Sequence, residues 1–213
     1  MSAHLQHHFD DVEQQQEAST LGMWVFLLTE IMFFGGMFGG YTVYRNWYPE
    51  AFAAASRYMN VTLGAVNTLV LITSSLTMVL AVRSAQLGAK KMLILFLVLT
   101  LLLGTVFLGI KYVEYHEKWV DHHIPGPGFQ FEDSRYVHQA QILFFLYFAL
   151  TGMHAIHMIV GAGLLITLIA MAARNRFSAN WYTPVDMIGL YWHFVDIVWI
   201  FLFPLLYLIG RTQ

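Results

Sequence analysis

The chain has 213 residues, of which 58% are hydrophobic and only 11% charged, and its mean hydropathy is +0.57. A typical soluble domain carries about 25% charged residues, and the net charge of −2 gives no indication of nucleic-acid binding. No cysteine is present, which excludes disulfides, thiolate nucleophiles and thiolate-ligated metals within these residues.

Five apolar runs with almost no charged residues make up most of the chain. Each reaches or nearly reaches the roughly 20 residues that a helix needs to cross a bilayer core of about 30 Å. Helices of soluble proteins keep a polar face, and these runs mostly lack one, so a buried core of a soluble protein is the weaker interpretation. The predicted membrane spans are approximately residues 19–45, 61–83, 91–113, 140–173 and 186–209.

The predicted fold is therefore all-α, a polytopic membrane bundle of five transmembrane helices. A polar tail over residues 1–18 precedes one transmembrane domain over residues 19–210. The tail lacks the basic start of a secretory signal peptide, and its histidines are typical of a solvated segment rather than of a metal site. The longest polar stretch, residues 114–138, holds two prolines among glycines and is predicted to be a loop.

The orientation prediction rests on the tendency of lysine and arginine to stay on the cytoplasmic side. With five spans, the N-terminus and the turns at residues 83–91 and 174–186 share one side. The raw count of lysine and arginine does not separate the two sides. However, the basic residues of the two turns stand in short, acid-poor segments, whereas residues 114–138 are long and acidic. We predict a cytoplasmic N-terminus and a periplasmic C-terminus.

Ionisable side chains within the spans are costly in a bilayer, so each is a candidate functional residue. Residues three apart share a helix face, which groups most of them into pairs and predicts an ion pair between the last two of span 3. The candidates are Glu30 in span 1, Lys111 and Glu114 at the end of span 3, His154 and His157 in span 4, and His193 and Asp196 in span 5.

Several kinds of site compete for these residues. A di-metal carboxylate bundle needs several Glu and Glu-x-x-His pairs, and only one glutamate lies within a span core, at Glu30. A transporter would show paired, Pro-interrupted spans, and an intramembrane protease would need a nucleophile motif that is missing. We favour a structural interpretation, in which the acids and histidines hydrogen-bond between helices. Glu30 should then be neutral or paired, with His154 or His157 as its expected partner.

Span 1 also carries four glycines in two overlapping small-x-x-x-small pairs. Such pairs let another helix approach closely, and that helix could belong to this chain or to another. The predicted helix-packing residues are Gly35, Gly36, Gly39 and Gly40.

Five segments, one on each span, resemble subunit III of haem–copper terminal oxidases of the cytochrome c oxidase type, in its short five-helix bacterial form. The last segment is the most specific, and all five occur in the family's order. They are WVFLLTEIMFFG (Trp24–Gly35), NTLVLITSSLT (Asn67–Thr77), GTVFLGIKYVEY (Gly104–Tyr115), TGMHAIHMIVG (Thr151–Gly161) and YWHFVDIVWIFL (Tyr191–Leu202).

The resemblance implies a non-redox subunit of a complex that oxidises cytochrome c, reduces oxygen to water and pumps protons across the bacterial inner membrane. It implies no catalytic centre, haem or metal in this chain, with haem and copper held by partner subunits and phospholipid bound in a groove. The expected partners are subunit I directly, subunit II and other small subunits, with membership of a respiratory supercomplex left open. The family's buried carboxyl, paired histidines, late His/Asp pair and Glu-Tyr fall at the candidate residues above and at Tyr115.

Two departures from the longer family form have consequences. That form has seven spans, and this sequence is equivalent to its last five, so either another chain supplies the missing wall of the lipid cleft or the groove is open. Lys111 stands where a neutral amide is expected in the mitochondrial form. The alternatives to a cytochrome c oxidase subunit are a quinol oxidase subunit III, a homologue associated with nitric oxide reductase and, less favoured, a stand-alone proton or solute transporter.

Overall fold

A computed structural model describes residues 6–7, 9–179 and 181–208, and within them the chain is helical apart from its turns and one long loop. The predicted ends of the last span and of the domain, residues 209 and 210, lie outside the described residues, as do residues 1–5 and 8 of the predicted tail. The helices are α1 (Val12–Trp47), α2 (Pro49–Ser56), α3 (Val61–Gln86), α4 (Lys90–Val120), α5 (Val137–Ala173) and α6 (Thr183–Phe203), which a π-helical turn (Pro204–Leu208) extends.

Five of these helices are long and apolar enough to cross a membrane, which confirms the all-α fold with five transmembrane helices. They are α1, α3, α4, α5 and α6 together with its π-helical turn. Most extend past the predicted apolar spans. Helix α1 begins seven residues before the predicted span, because Asp11 caps it by accepting a hydrogen bond from the Gln14 backbone N–H at 2.8 Å.

Helix α6 lies at the centre of the bundle and packs against α1, α3 and α5. Helix α4 packs against both α3 and α5. Half of the most apolar window of α6 is buried, compared with 11% of the corresponding window of α1. Helix α1 is therefore the most peripheral span. Two tryptophans of α6, Trp192 and Trp199, are fully buried and donate hydrogen bonds to Ser74 Oγ (3.0 Å) and Thr68 Oγ1 (3.1 Å) of α3.

Single glycines on three helices make room for the α6 side chains. A Cβ atom added to Gly104 of α4 would lie 2.8 Å from Cη2 of Trp192, and one added to Gly161 of α5 would lie 2.9 Å from its Cζ3. A Cβ on Gly64 of α3 would lie 2.7 Å from Phe203. The indole of Trp192 is thus held between two glycines, and this close packing sets the spacing of α4, α5 and α6.

The prediction of a loop over residues 114–138 is wrong in its first part, because α4 continues to Val120. Lys111, Glu114 and Lys118 follow one another at three- and four-residue spacing, so they share the helix face that points into the bundle. Each is buried. These charged residues lie on the buried face of α4. A polar composition therefore does not mark the end of the helix here.

The segment after span 1 also contains a helix that the sequence analysis missed. Pro49 occupies the first turn of α2, where its missing N–H costs nothing. Phe52 and Ala55 of this helix are buried, and α2 packs against α5. The polar residues around α2 masked this short apolar face in the sequence.

The loop between α4 and α5 is anchored by His123, whose ring is buried. The ring stacks on Phe144 with the planes 1° apart and the centroids 4.9 Å apart, and Tyr58 packs on it edge-on. Burial, with the nearby Lys118 ammonium, lowers the pKa of His123 from its ordinary value of 6.5. The folded protein therefore favours the neutral ring.

A pH dependence follows from this lowered pKa. The unfolded chain binds a proton at His123 more readily than the folded chain, so stability is fully present above about pH 6.5 and is lost as the pH falls below it. We expect His123→Phe to reduce the difference in thermal unfolding temperature between pH 7.5 and pH 5. The control is His116→Phe at an exposed position, which should keep the wild-type difference. An unchanged pH dependence in His123→Phe would contradict the assignment.

Candidate functional site

Glu30 of α1 and His157 of α5 form a contact between the two helices. Glu30 Oε2 lies 3.1 Å from His157 Nε2, while His157 Nδ1 lies 2.9 Å from the Met153 carbonyl oxygen. The carbonyl can only accept, so Nδ1 carries a hydrogen, and one further proton lies between Nε2 and the carboxyl group. The predicted hydrogen bond from Glu30 to a span-4 histidine is confirmed for His157.

This pair lies at the edge of the bundle. The side chains of Glu30 and His157 are 19% and 15% exposed. Behind them, the Tyr191 hydroxyl donates to the His157 carbonyl oxygen at 2.9 Å, and the ring of Phe34 lies 5.2 Å from the imidazole. The shared proton leaves the carboxyl–imidazole pair without a net charge, which lowers the cost of placing it within a membrane.

His154 does not join this pair. It is fully buried, neither ring nitrogen has a hydrogen-bond partner among the described residues, and its ring packs against Phe107 (5.3 Å) and Trp199 (5.4 Å). The two histidines therefore have different surroundings. Side chains three residues apart on a helix point in directions that differ by about 60°. His157 therefore faces α1, whereas His154 faces α4 and α6.

Lys111 and Glu114 form the ion pair predicted from their spacing. Lys111 Nζ lies 2.8 Å from Glu114 Oε2, and it also donates to the hydroxyls of Tyr147 (3.1 Å) and Tyr207 (3.0 Å). The Tyr207 hydroxyl donates to Glu114 Oε1 at 2.6 Å. All three ammonium hydrogens and both carboxylate oxygens have partners, which is the condition under which a buried ion pair persists.

Aromatic rings complete the surroundings of this ion pair. The centroids of four rings lie between 5.0 and 5.7 Å from Lys111 Nζ, a range typical of cation–π contacts. The π-helical turn at Pro204–Leu208 carries Tyr207 into the cluster, and the Tyr41 hydroxyl of α1 donates to the Leu205 carbonyl of the same turn at 2.8 Å. The cluster therefore joins α4, α5 and the end of α6.

His193 and Asp196 of α6 do not bond each other. His193 Nδ1 lies 2.7 Å from Ser75 Oγ of α3. Asp196 is 3% exposed, and its carboxyl oxygens have no hydrogen-bond partner within the described part of the chain, although the Ser75 side chain adjoins it. The motif that places these residues three apart thus contains one hydrogen-bonded side chain and one buried acid.

The four predicted packing glycines of α1 lie on an open face. A Cβ atom added at any of them would meet nothing within 4 Å in the described part of the chain. No described helix therefore packs on these glycine pairs. The close approaches within the bundle occur instead at glycines of other helices, such as Gly104 and Gly161.

Sequence reasoning also missed Lys118, Tyr147 and Tyr207. Lys118 is buried, and its ammonium donates to the backbone carbonyl of Tyr58. The two tyrosines stand in apolar runs where a membrane-interface role is the usual expectation. Within the described ranges, no three His, Cys, Asp or Glu side chains come together in a way that could hold a metal ion.

Comparison with known proteins identifies the relatives of this chain. A sequence model of the family described as "Cytochrome c oxidase subunit III" matches residues 2–211. The cytochrome bo(3) ubiquinol oxidase subunit 3 of Pseudomonas aeruginosa is 32% identical over 206 residues, covering 96% of this chain and 91% of that protein. The cytochrome c oxidase subunit 3 of Alkalihalophilus pseudofirmus is 30% identical over 190 residues, covering 89% and 86%. The cytochrome c oxidase subunit 3 of Loxodonta africana is 29% identical over 200 residues, covering 90% of this chain but 70% of that longer protein.

Proposed function

Because the chain belongs to the cytochrome c oxidase subunit III family, we propose that it is the non-redox subunit III of an aerobic respiratory haem–copper oxidase. The complex would oxidise cytochrome c, reduce oxygen to water and pump protons, with haem and copper in the partner subunits. The family match over residues 2–211 and the near-complete coverage of bacterial relatives carry this proposal.

Within such a complex, this subunit packs on subunit I and binds phospholipid. The outward face of α1 supports this role, because it combines exposed apolar side chains with the four open glycines. An apolar helix face that finds no partner within its own chain is suited to lipid chains or to a helix of a neighbouring subunit. Subunit II and other small subunits would complete the assembly.

The Glu30–His157 pair supports a further role in sustaining proton uptake and durability of the catalytic subunit. The carboxyl and imidazole groups are partly exposed at the bundle surface, where they can exchange a proton with a neighbouring group. The pair is neutral while it shares one proton, and in that state it needs no further counter-ion in the membrane.

The proposed topology has a cytoplasmic N-terminus and a periplasmic C-terminus in a bacterial inner membrane. Lys90 Nζ donates to the Ala173 carbonyl oxygen (2.9 Å) and to Asn175 Oδ1 (2.7 Å), which joins the α3–α4 and α5–α6 turns at one end of the bundle. Both turns are rich in lysine and arginine. That end is therefore suited to the cytoplasmic side.

The test is to purify the native complex through this chain and to record its haem spectrum. We expect haem and copper to co-purify with it at a fixed ratio. A complex that lacks both would contradict the proposal. Reconstitution of the chain alone in liposomes distinguishes an oxidase subunit from a stand-alone transporter. A transporter would give solute or proton flux, and an oxidase subunit would give none.

A quinol oxidase subunit III is the second candidate. The observation that favours it is the match to a ubiquinol oxidase subunit, which is 32% identical over 206 residues. Other subunits bind the electron donor, so the identity of the donor is determined from the co-purified subunit II. A dinuclear copper signal in that subunit supports cytochrome c as the donor, and its absence in an active complex supports quinol.

Glu30→Gln tests the role of the surface pair. We expect the haem content per complex to stay near that of wild type, because Glu30 bonds His157 and contacts no cofactor in this chain. We expect the number of turnovers before inactivation to fall, since the amide cannot exchange a proton. The control is Glu17→Gln, an exposed acid near the start of α1. Loss of haem from the Glu30→Gln complex would contradict a proton-support role.

A further inference from the structure

We propose that Asp196 is a proton-binding site that is protonated in the resting protein and exchanges its proton with water through Ser75 and His193. It lies on the opposite side of α6 from the Glu30–His157 contact, between α6 and α3.

Burial of Asp196 is the first observation. The residue is 3% exposed, both carboxyl oxygens are shielded from solvent, and neither has a hydrogen-bond partner among the residues that the structure describes. Thirteen residues into α6, it lies about 20 Å along the helix axis from Thr183, deep in a hydrocarbon core of about 30 Å. An ionised carboxylate without a partner is prohibitively costly there, so the group holds its proton.

The charges around Asp196 do not compensate it. Within the described residues, no salt bridge includes it. On its own helix, the nearest ionisable side chain is His193, which bonds Ser75 of α3, while Asp186 and Arg83 lie further along and line the same groove as His193. On the other side of α6, the ionisable side chains Glu30 and His157 contact each other. Among the described residues, no cation replaces the proton.

A route to water is the second observation. The Ser75 side chain adjoins the Asp196 carboxyl, and its hydroxyl oxygen lies 2.7 Å from His193 Nδ1. The His193 ring in turn lines a groove of about 220 Å³ between α3 and α6. Arg83, Gln86 and Asp186 line the same groove near the basic end of the bundle. The groove therefore provides a polar surface that water can reach. This surface extends about 10 Å along α6, from Asp186 to His193.

The proton transfer balances within these three side chains. When Asp196 is deprotonated, His193 Nε2 takes a proton from a hydronium ion in the groove, which leaves as water, while Nδ1 releases its own proton to the Ser75 oxygen. The Ser75 hydroxyl proton moves to the Asp196 carboxylate. Serine ends unchanged, histidine ends neutral with its hydrogen on the other nitrogen, and one proton has moved from hydronium to the carboxyl group.

Infrared spectroscopy of the purified native complex tests the proposal. We expect the wild-type minus Asp196→Asn spectrum at neutral pH to show one band in the region of protonated carboxyl groups. The control, Glu117→Gln, replaces an exposed acid and should remove no such band. A wild-type complex that lacks the band would overturn the protonated state.

The route is tested separately in Ser75→Ala, which keeps Asp196 and so remains informative if Asp196→Asn does not assemble. We expect the carboxyl band to persist and its shift on transfer from H₂O to D₂O to be at least tenfold slower than in wild type. The control is Thr73→Ala on the lipid-facing side of α3. Exchange at the wild-type rate in Ser75→Ala would overturn the relay through serine.

Discussion

Lys111→Met is expected to lower the free energy of unfolding by about 3–5 kcal/mol, because it breaks a buried ion pair by removing one partner. The Glu114 carboxylate is fully buried, and it would lose its closest cation while keeping only the Tyr207 hydroxyl. The Tyr147 and Tyr207 hydroxyls would also lose an interaction. Unfolding of the solubilised chain by a denaturing detergent, followed by tryptophan fluorescence, measures the effect.

The matched control removes the charge on both sides. Lys111→Met combined with Glu114→Gln leaves no stranded ion, so the double variant should be more stable than Lys111→Met alone. Lys91→Met, at an exposed position in the first turn of the same helix, should be near wild type. Wild-type stability in Lys111→Met would show that the pair contributes nothing to the fold.

Gly161→Ala is expected to destabilise the bundle by about 1–3 kcal/mol, since it over-packs a filled core. The new Cβ atom would lie 2.9 Å from Cζ3 and 3.0 Å from Cε3 of Trp192, and 3.2 Å from Cε1 of Tyr191. Trp192 is fully buried and held on its opposite side by Gly104, so the indole has no space into which it can move. The same detergent titration measures the change.

Gly163→Ala is the control for this prediction. It lies two residues further along α5, and its Cβ would meet nothing within 4 Å in the described chain. We expect it to be neutral or slightly stabilising, because alanine favours a helix over glycine. Equal stability of the Gly161 and Gly163 variants would contradict the close packing of Trp192.

The number of spans follows from the sequence because it depends on local composition alone. Charge-free runs of helical length specify membrane helices whatever their neighbours are. The same reasoning identifies the Lys111–Glu114 pair, since residues three apart meet on any helix. The Glu30–His157 contact was predictable in kind, because a lone acid inside a membrane requires a partner and few polar groups are available there.

The features that sequence reasoning missed depend on tertiary packing. Helix α4 continues beyond Glu114 because Tyr147 and Tyr207 come from other helices to satisfy its charges. His154 and His157 separate because different neighbours surround the two faces of α5. The role of Gly104 becomes visible only when Trp192, 88 positions later in the chain, lies against it.

The peripheral position of α1 has a consequence for biosynthesis. Helix α1 is synthesised before α5 and α6, yet its polar side chains bond residues much later in the chain, 127 residues away for Glu30 and 164 for Tyr41. These contacts cannot form until α5 and α6 have been synthesised. Until then, the open glycines and the Glu30 carboxyl of α1 have no partner from those helices and are accessible to other subunits.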